Sequence, residues 1–93
     1  WIFKMIDAMA EAGVNHGLTK ADSTRIVAQA FAGSAQLLLG GLDNGQVPAN
    51  FIDRVSSPGG TTIAGLLAAQ EAGLSSAIVA AVDAAVERDH HLG

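Results

Sequence analysis

The sequence predicts an all-α fold, a small bundle of about five helices that is intertwined with a second copy as a homodimer. Apolar residues recur at helical spacing along most of the chain, and no segment shows the alternation of a strand. Hydrophobic residues make up 49% and charged residues 15% of the 93 residues, against about 25% charged in an average globular chain. A domain this short buries about two-thirds of its surface at best. We therefore expect a second copy, a further domain or a bilayer to cover part of the apolar surface.

The first predicted helix spans residues 1–12. Its polar residues Lys4, Asp7 and Glu11 are spaced three and four apart, so they form one narrow stripe on an otherwise apolar helix. Such a helix is buried over most of its surface. Gly13 is the expected C-terminal stop.

The second predicted helix begins after Thr19, because Thr19 and Asp22 have the spacing of a capping box. We expect it to run to about Leu39 and to stop at Gly40 and Gly41. The first turns are polar, whereas the second half is apolar nearly all the way round. That half is therefore predicted to be enclosed.

Three further helices are predicted in the second half of the chain. Proline suits a first helical position, which favours a short helix over residues 48–54. A helix over 61–72 should stop at Gly73, and the last helix should run to about Arg88 with Ser75 as its N-cap. We expect little to hold the tail that follows.

The distribution of charge bears on the choice between a bilayer and a protein partner. No charged residue lies between Arg25 and Asp43, but Gln29, Ser34 and Gln36 interrupt this segment. A membrane span needs about 20 predominantly apolar residues. We therefore predict no membrane association.

The net charge of −4, with no basic cluster, argues against a nucleic-acid partner. The chain has no cysteine, which rules out disulfides and thiol chemistry and suits a cytoplasmic protein. No signal peptide is visible, and the chain begins at Trp1 within a helical pattern rather than at Met. We expect a fragment whose N-terminal part is absent.

The most informative segment for function is the loop over residues 56–60 with the helix start that follows. Pro58 stiffens the loop, and the two glycines after it can adopt positive φ and let a ligand approach the backbone. The first amides of the next helix lack intrahelical acceptors and lie at the positive end of its dipole. Hydroxyls of Ser57, Thr61 and Thr62 add donors and acceptors. The segment suits a small carboxylate or phosphate; the alternative is an ordinary helix start after a tight turn.

Residues 56–66, Ser-Ser-Pro-Gly-Gly-Thr-Thr-Ile-Ala-Gly-Leu, resemble the signature of the pyrroline-5-carboxylate reductases. The resemblance extends over nearly the whole chain and corresponds to the C-terminal third of these enzymes. Its flanking matches lie at residues 7–14, 17–18, 28–30, 33–35 and 71–74.

The resemblance implies that residues 1–93 are a C-terminal helical dimerisation and substrate-binding domain. The family reduces 1-pyrroline-5-carboxylate to L-proline, the last step of proline biosynthesis. NADPH or NADH is bound by an N-terminal Rossmann domain, which this chain lacks. The resemblance further implies a homodimer, possibly assembled into a decamer, and no activity in this chain alone.

The resemblance also implies which residues form the substrate site. Its catalytic residue is Thr62, whose hydroxyl reaches the imine nitrogen. The substrate-binding residues carried over are Val55, Ser57, Gly59, Gly60, Thr61 and Thr62. Arg54 falls near the family's cofactor, at a position where residue type varies.

Two alternatives stay open from the sequence. The chain could be the helical dimerisation domain of a related nicotinamide-dependent reductase with another substrate, or a non-enzymatic helical interaction module. The remaining chemical candidates are weak. His16 and the Asp43-Asn44-Gly45 segment are interpreted as turns. The adjacent His90 and His91 lack a carboxylate partner at rigid spacing, so no metal site is predicted.

Overall fold

A computed structural model of the chain describes the backbone of residues 1–92 and the side chains of residues 1–90. Over that range it contains helices and connecting turns and no strand, which confirms the all-α prediction. The chain divides into two compact units, Trp1–Phe51 and the residues from Ile52 onward. The helices are α1 (Ile2–Asn15), α2 (Lys20–Leu42), α3 (Pro48–Val55), α4 (Thr61–Glu71) and α5 (Leu74–Leu92).

In the first unit, α1 and α2 pack closely through small side chains. The Ser23 hydroxyl on α2 donates a 2.8 Å hydrogen bond to the Ala10 carbonyl of α1. Ala10 and Ser23 are 0% and 1% exposed, so this hydrogen bond is shielded from water. A buried hydroxyl needs such a partner, and here the partner is the main chain of the neighbouring helix. The contact fixes the two helices at short distance.

Gly13 belongs to this contact and does not end α1, so the predicted stop at Gly13 is wrong. A Cβ on Gly13 would overlap the Ser23 hydroxyl and lie 3.1 Å from Ser23 Cβ. The glycine is thus required by the close approach of α2. The turn after α1 instead has its positive φ, +102°, at Gly17.

The polar stripe predicted on α1 faces the beginning of α2. Lys20 Nζ lies 3.0 Å from Asp7 Oδ1 and also pairs with Glu11. The hydrogen bond from Lys20 lowers the pKa of Asp7 below its ordinary value of 3.8. The stability linked to this shift is present above the ordinary pKa and is lost as the pH falls through the lowered one. All three side chains are exposed, so the two ion pairs contribute little to stability.

The start of α2 is as predicted, because Thr19 Oγ1 accepts a 3.1 Å hydrogen bond from the Asp22 amide. Its end is not. The helix continues through the predicted stop at Gly40 and Gly41 to Leu42. Gly41 is buried because the Phe51 ring occupies the space that a Cβ would need, 2.5 Å from Phe51 Cζ. A packing contact, and not chain termination, explains that glycine.

The second half of α2 extends beyond the reach of α1. At 1.5 Å per residue, α2 is about 34 Å long and α1 about 21 Å. Large apolar side chains on the extension are exposed, at 62% for Leu37, 62% for Leu39 and 47% for Leu42. The first unit therefore does not enclose this half of α2. Enclosure as predicted requires a partner outside the first unit.

In the second unit, a side-chain hydrogen bond links the end of α4 to the start of α5. Gln70 Oε1 accepts from the Ser75 amide at 3.2 Å and from the Ser75 hydroxyl at 2.8 Å. Ser75 therefore lies inside the first turn of α5 and is not its N-cap, contrary to the prediction. The connecting turn has its positive φ, +96°, at Gly73, where the end of α4 was predicted.

The last helix runs four residues past the predicted end at Arg88, to Leu92. No glycine or proline occurs between Gly73 and Gly93, so nothing in the sequence ends the helix earlier. Apolar side chains four residues apart form an exposed stripe on α5, made of Leu74, Ile78, Val82 and Val86.

Within the described residues, no single helix is both long and apolar enough to cross a membrane. The α4–α5 pair passes the same test of length and composition only when taken together, with a 53° bend between its helices.

The contact at Gly13 makes a direct prediction. Gly13→Ala should lower the free energy of unfolding by about 1–3 kcal/mol, because the new methyl group overlaps the buried Ser23 hydroxyl, which can move only by giving up its hydrogen bond to the Ala10 carbonyl. Denaturant titration at fixed protein concentration would measure it. Adding Ser23→Ala to this variant should lessen the cost of the Gly13 change; an equal cost in both backgrounds would contradict the packing assignment.

Candidate functional site

The loop between α3 and α4 is a tight turn built by its sequence. The Gly60 amide donates a 3.0 Å hydrogen bond to the Ser57 carbonyl, which closes a four-residue turn. Pro58 occupies the second position and Gly59, with φ +69°, the third. A proline followed by a residue of positive φ is the pattern of a type II β-turn. The first residue of α4 follows directly after the turn.

Gly60 is the N-cap of α4, and its lack of a side chain has two consequences. A Cβ there would overlap the Ser57 hydroxyl and lie 3.1 Å from the Ser57 carbonyl oxygen, so any other residue would have to move the Ser57 side chain and loosen the turn slightly. The helix start also has no side-chain cap. The hydroxyl or carboxylate that normally accepts from the first amides is missing.

Three amides at the start of α4 are therefore left without intrahelical acceptors. The first bond of the helix runs from the Ala64 amide to the Gly60 carbonyl, at 3.3 Å. The amides of Thr61, Thr62 and Ile63 precede it. The predicted site residues include the first two of these, Thr61 and Thr62, and the third amide belongs to Ile63. The sequence feature that indicates the Ile63 amide is Gly60. Once Gly60 is identified as the N-cap, the third amide without an intrahelical acceptor is that of residue 63.

The two serines before the turn have different environments. The half-buried Ser56 donates its hydroxyl to the Ile52 carbonyl at 2.7 Å, and its amide to the Asp53 carbonyl at 3.3 Å. These bonds close the end of α3. Ser57 is exposed, with its hydroxyl beside Gly60 at the helix start. Of the two serines, Ser57 is therefore the one whose hydroxyl lies at the start of α4.

The predicted site residues fall into two groups. One turn and the first helical turn after it bring together Ser57, Gly59, Gly60, Thr61 and Thr62, with both threonines exposed. Val55 is the last residue of α3, two positions before the turn, and is 60% exposed. The basic Arg54 precedes it in the last turn of α3.

No ionisable side chain occurs in residues 55–62, so this segment itself offers an anion the positive end of the helix dipole and main-chain amides. Such a site orients an anion and offers hydroxyls, but it contains no strong acid or base.

The weaker candidates gain no support as metal ligands. No group of three or more His, Asp or Glu side chains within the described range could hold a metal ion. His16 and the Asp43–Gly45 segment lie at turns, and His90 is exposed on α5. The side chain of His91 is outside the described residues.

Fold and loop together define a helical domain with exposed apolar side chains and a helix start that has three amides without intrahelical acceptors. The family model for pyrroline-5-carboxylate reductase dimerisation matches residues 1–92. The chain belongs to this family.

The chain is also similar to individual members of this family. The chain is 40% identical to pyrroline-5-carboxylate reductase from Synechocystis over 93 residues, covering 100% of this chain and 34% of the relative. It is 36% identical to the Escherichia coli K12 enzyme of the same name, covering 99% and 33%. The crystal structure of 1-pyrroline-5-carboxylate reductase from Streptococcus pyogenes matches with a TM-score of 0.85 and 40% identity, over 94% of this chain and 32% of that one. The chain thus spans about a third of the length of the relatives it matches.

Proposed function

We propose that this chain is the C-terminal dimerisation and substrate-binding part of a cytoplasmic enzyme that reduces 1-pyrroline-5-carboxylate to L-proline. The observation that carries the proposal is the uncapped start of α4, held open by the turn at Ser57–Gly60, in a chain of this family. Family membership favours this function over a dimerisation domain from another reductase or a non-enzymatic interaction module.

The substrate carboxylate is the anion that the helix start accommodates. The amides of Thr61, Thr62 and Ile63 point along the helix axis toward the turn and can donate to two carboxylate oxygens. Binding by main-chain amides needs no Arg or Lys, and residues 55–62 contain neither. Ser57, beside Gly60, adds a hydroxyl at the same end.

Thr62 is proposed to act on the ring nitrogen. The substrate carries its carboxylate and its imine nitrogen on the same small ring, so a carboxylate held by the amides leaves the nitrogen within reach of a hydroxyl on the first helical turn. A threonine hydroxyl is too weak an acid to protonate the imine by itself. Its role is to orient the ring and to relay a proton.

The nicotinamide supplies the hydride that adds to the C=N carbon. NADPH or NADH would be bound by an N-terminal Rossmann domain, because these 93 residues contain no Gly-x-Gly-x-x-Gly sequence. The chain's own contribution is to hold the ring in a fixed orientation toward the cofactor.

A homodimer is proposed to cover the exposed apolar surface. The extension of α2 and the stripe on α5 present large aliphatic side chains to solvent, including Leu37 and Leu39 at 62% exposure. Large exposed apolar surface is rare on monomeric proteins and typical of the interfaces of obligate homodimers. Further assembly of dimers into a decamer is compatible with these surfaces.

The dimer makes the first prediction of this section. Sedimentation of the chain at micromolar concentration should show no 9.4 kDa monomer. Ile78→Glu on the α5 stripe should shift the population toward monomer, because a charge is buried without a partner. Arg88→Glu, at a position that is already charged, is the matched control and should stay dimeric. A monomeric wild-type chain would contradict the proposed homodimer.

The second prediction concerns the cofactor. The isolated chain should bind neither NADPH nor NADH and should show no reductase activity, because it carries no nucleotide-binding motif. A fluorescence titration would test it. Saturable micromolar binding would contradict the assignment of the cofactor to another domain.

The third prediction concerns Thr62. In the full-length enzyme, Thr62→Val keeps the shape but removes the hydroxyl, and kcat/KM for the imine should fall about 5- to 150-fold, equivalent to roughly 1–3 kcal/mol. The KM for the cofactor should change little. Thr62→Ser retains the hydroxyl and should recover most of the loss. Unaltered kcat/KM in the valine variant would show that the hydroxyl has no part in the reaction.

A further inference from the structure

We propose that Asn44 is a site of spontaneous deamidation, a covalent modification of the turn after α2 that is independent of the reductase function. Asn44 is exposed and is followed by Gly45. Nothing lies within 4 Å of the position that a Cβ on Gly45 would take. Gly45 has no side chain of its own to shield its backbone nitrogen, which is the nucleophile of this reaction.

The reaction is an intramolecular substitution followed by hydrolysis. The Gly45 nitrogen attacks Asn44 Cγ, the Cγ–Nδ2 bond breaks, and ammonia leaves with the proton that the Gly45 nitrogen gives up. A five-membered succinimide results. Water then adds to one of its two carbonyls and opens the ring, giving aspartate or isoaspartate. Water is the only co-reactant, and nothing is oxidised or reduced.

Two hydrogen bonds oppose the reaction in the folded turn. Asn44 Nδ2 donates to the Gly40 carbonyl at 3.3 Å, and the Gly45 amide donates to the Leu42 carbonyl at 3.1 Å. Both must break before the nitrogen can approach Cγ. The first is longer than the usual 2.9–3.0 Å and is exposed to water, so the side chain is weakly held. The fraction of molecules in which the turn is open therefore scales the rate of the attack.

Modification would disturb the contact between α2 and α3. Isoaspartate lengthens the main chain by one methylene, in a turn closed by the hydrogen bond from the Gln46 amide to the Gly41 carbonyl at 2.9 Å. Gly41 is the residue against which the Phe51 ring packs. Either product also adds a carboxylate beside Asp43 at the negative end of the α2 dipole, which is unfavourable.

The test is peptide mapping by mass spectrometry of the full-length protein, incubated at mildly alkaline pH and sampled over time. Isoaspartate and aspartate should accumulate at residue 44, with isoaspartate in excess, and faster as the pH rises. The chain supplies its own controls, since its other asparagines are Asn15, followed by His16, and Asn50, followed by Phe51. Conversion at Asn44 should exceed conversion at either several-fold.

Equal conversion at the three asparagines would overturn the proposal, as would aspartate without isoaspartate at residue 44, since a succinimide yields both. The same protein in denaturant should convert faster at Asn44 than the native protein, because the turn no longer restrains the nitrogen; an unchanged rate would overturn the protective role of the two hydrogen bonds. Asn44→Gln, which cannot form the five-membered ring, should keep its thermal midpoint through the incubation, whereas that of the wild type should fall.

Discussion

The chain carries more apolar side chain than its own helices cover, and this constraint shapes the rest of the structure. Among the described residues, Ala10 is the one hydrophobic side chain that is fully buried. Its burial depends on the hydrogen bond from Ser23 and on the missing side chain of Gly13, which let α1 and α2 approach closely. Close packing of the two helix backbones, and not a large aliphatic core, holds α1 and α2 together. The large side chains are thereby left for contacts with other protein surface.

Small or missing side chains also shape the proposed substrate site. Gly60 removes the ordinary cap from α4, and the turn at Pro58 and Gly59 aligns the chain so that three amides stay open. Main-chain amides are fixed by the helix and lose no side-chain entropy on binding. A carboxylate held in this way is oriented by geometry and the helix dipole. The hydroxyls around it can then act on the rest of the ring without a competing charge.

The sequence alone determined the helix count, the Thr19 cap, the turn at Pro58–Gly59 and the start of α4. These features depend on interactions within four residues, and the residue types at those positions allow few other conformations. The candidate site was predictable for the same reason, since a turn and the first helical turn after it are local structure. The resemblance at residues 56–66 supplied the substrate class, which local geometry does not.

Only the tertiary structure decided what each glycine does and where the helices end. Gly13 and Gly41 were read as stops, but both are helical positions where another element approaches, Ser23 in one case and the Phe51 ring in the other. A sequence does not distinguish a glycine needed for positive φ from one needed for space. The prediction of Ser75 as an N-cap is wrong for a similar reason. Its amide donates a hydrogen bond to the side chain of Gln70, on the preceding helix. Contacts between successive helices of this kind depend on how the helices meet in space, which residue patterns within one helix do not encode.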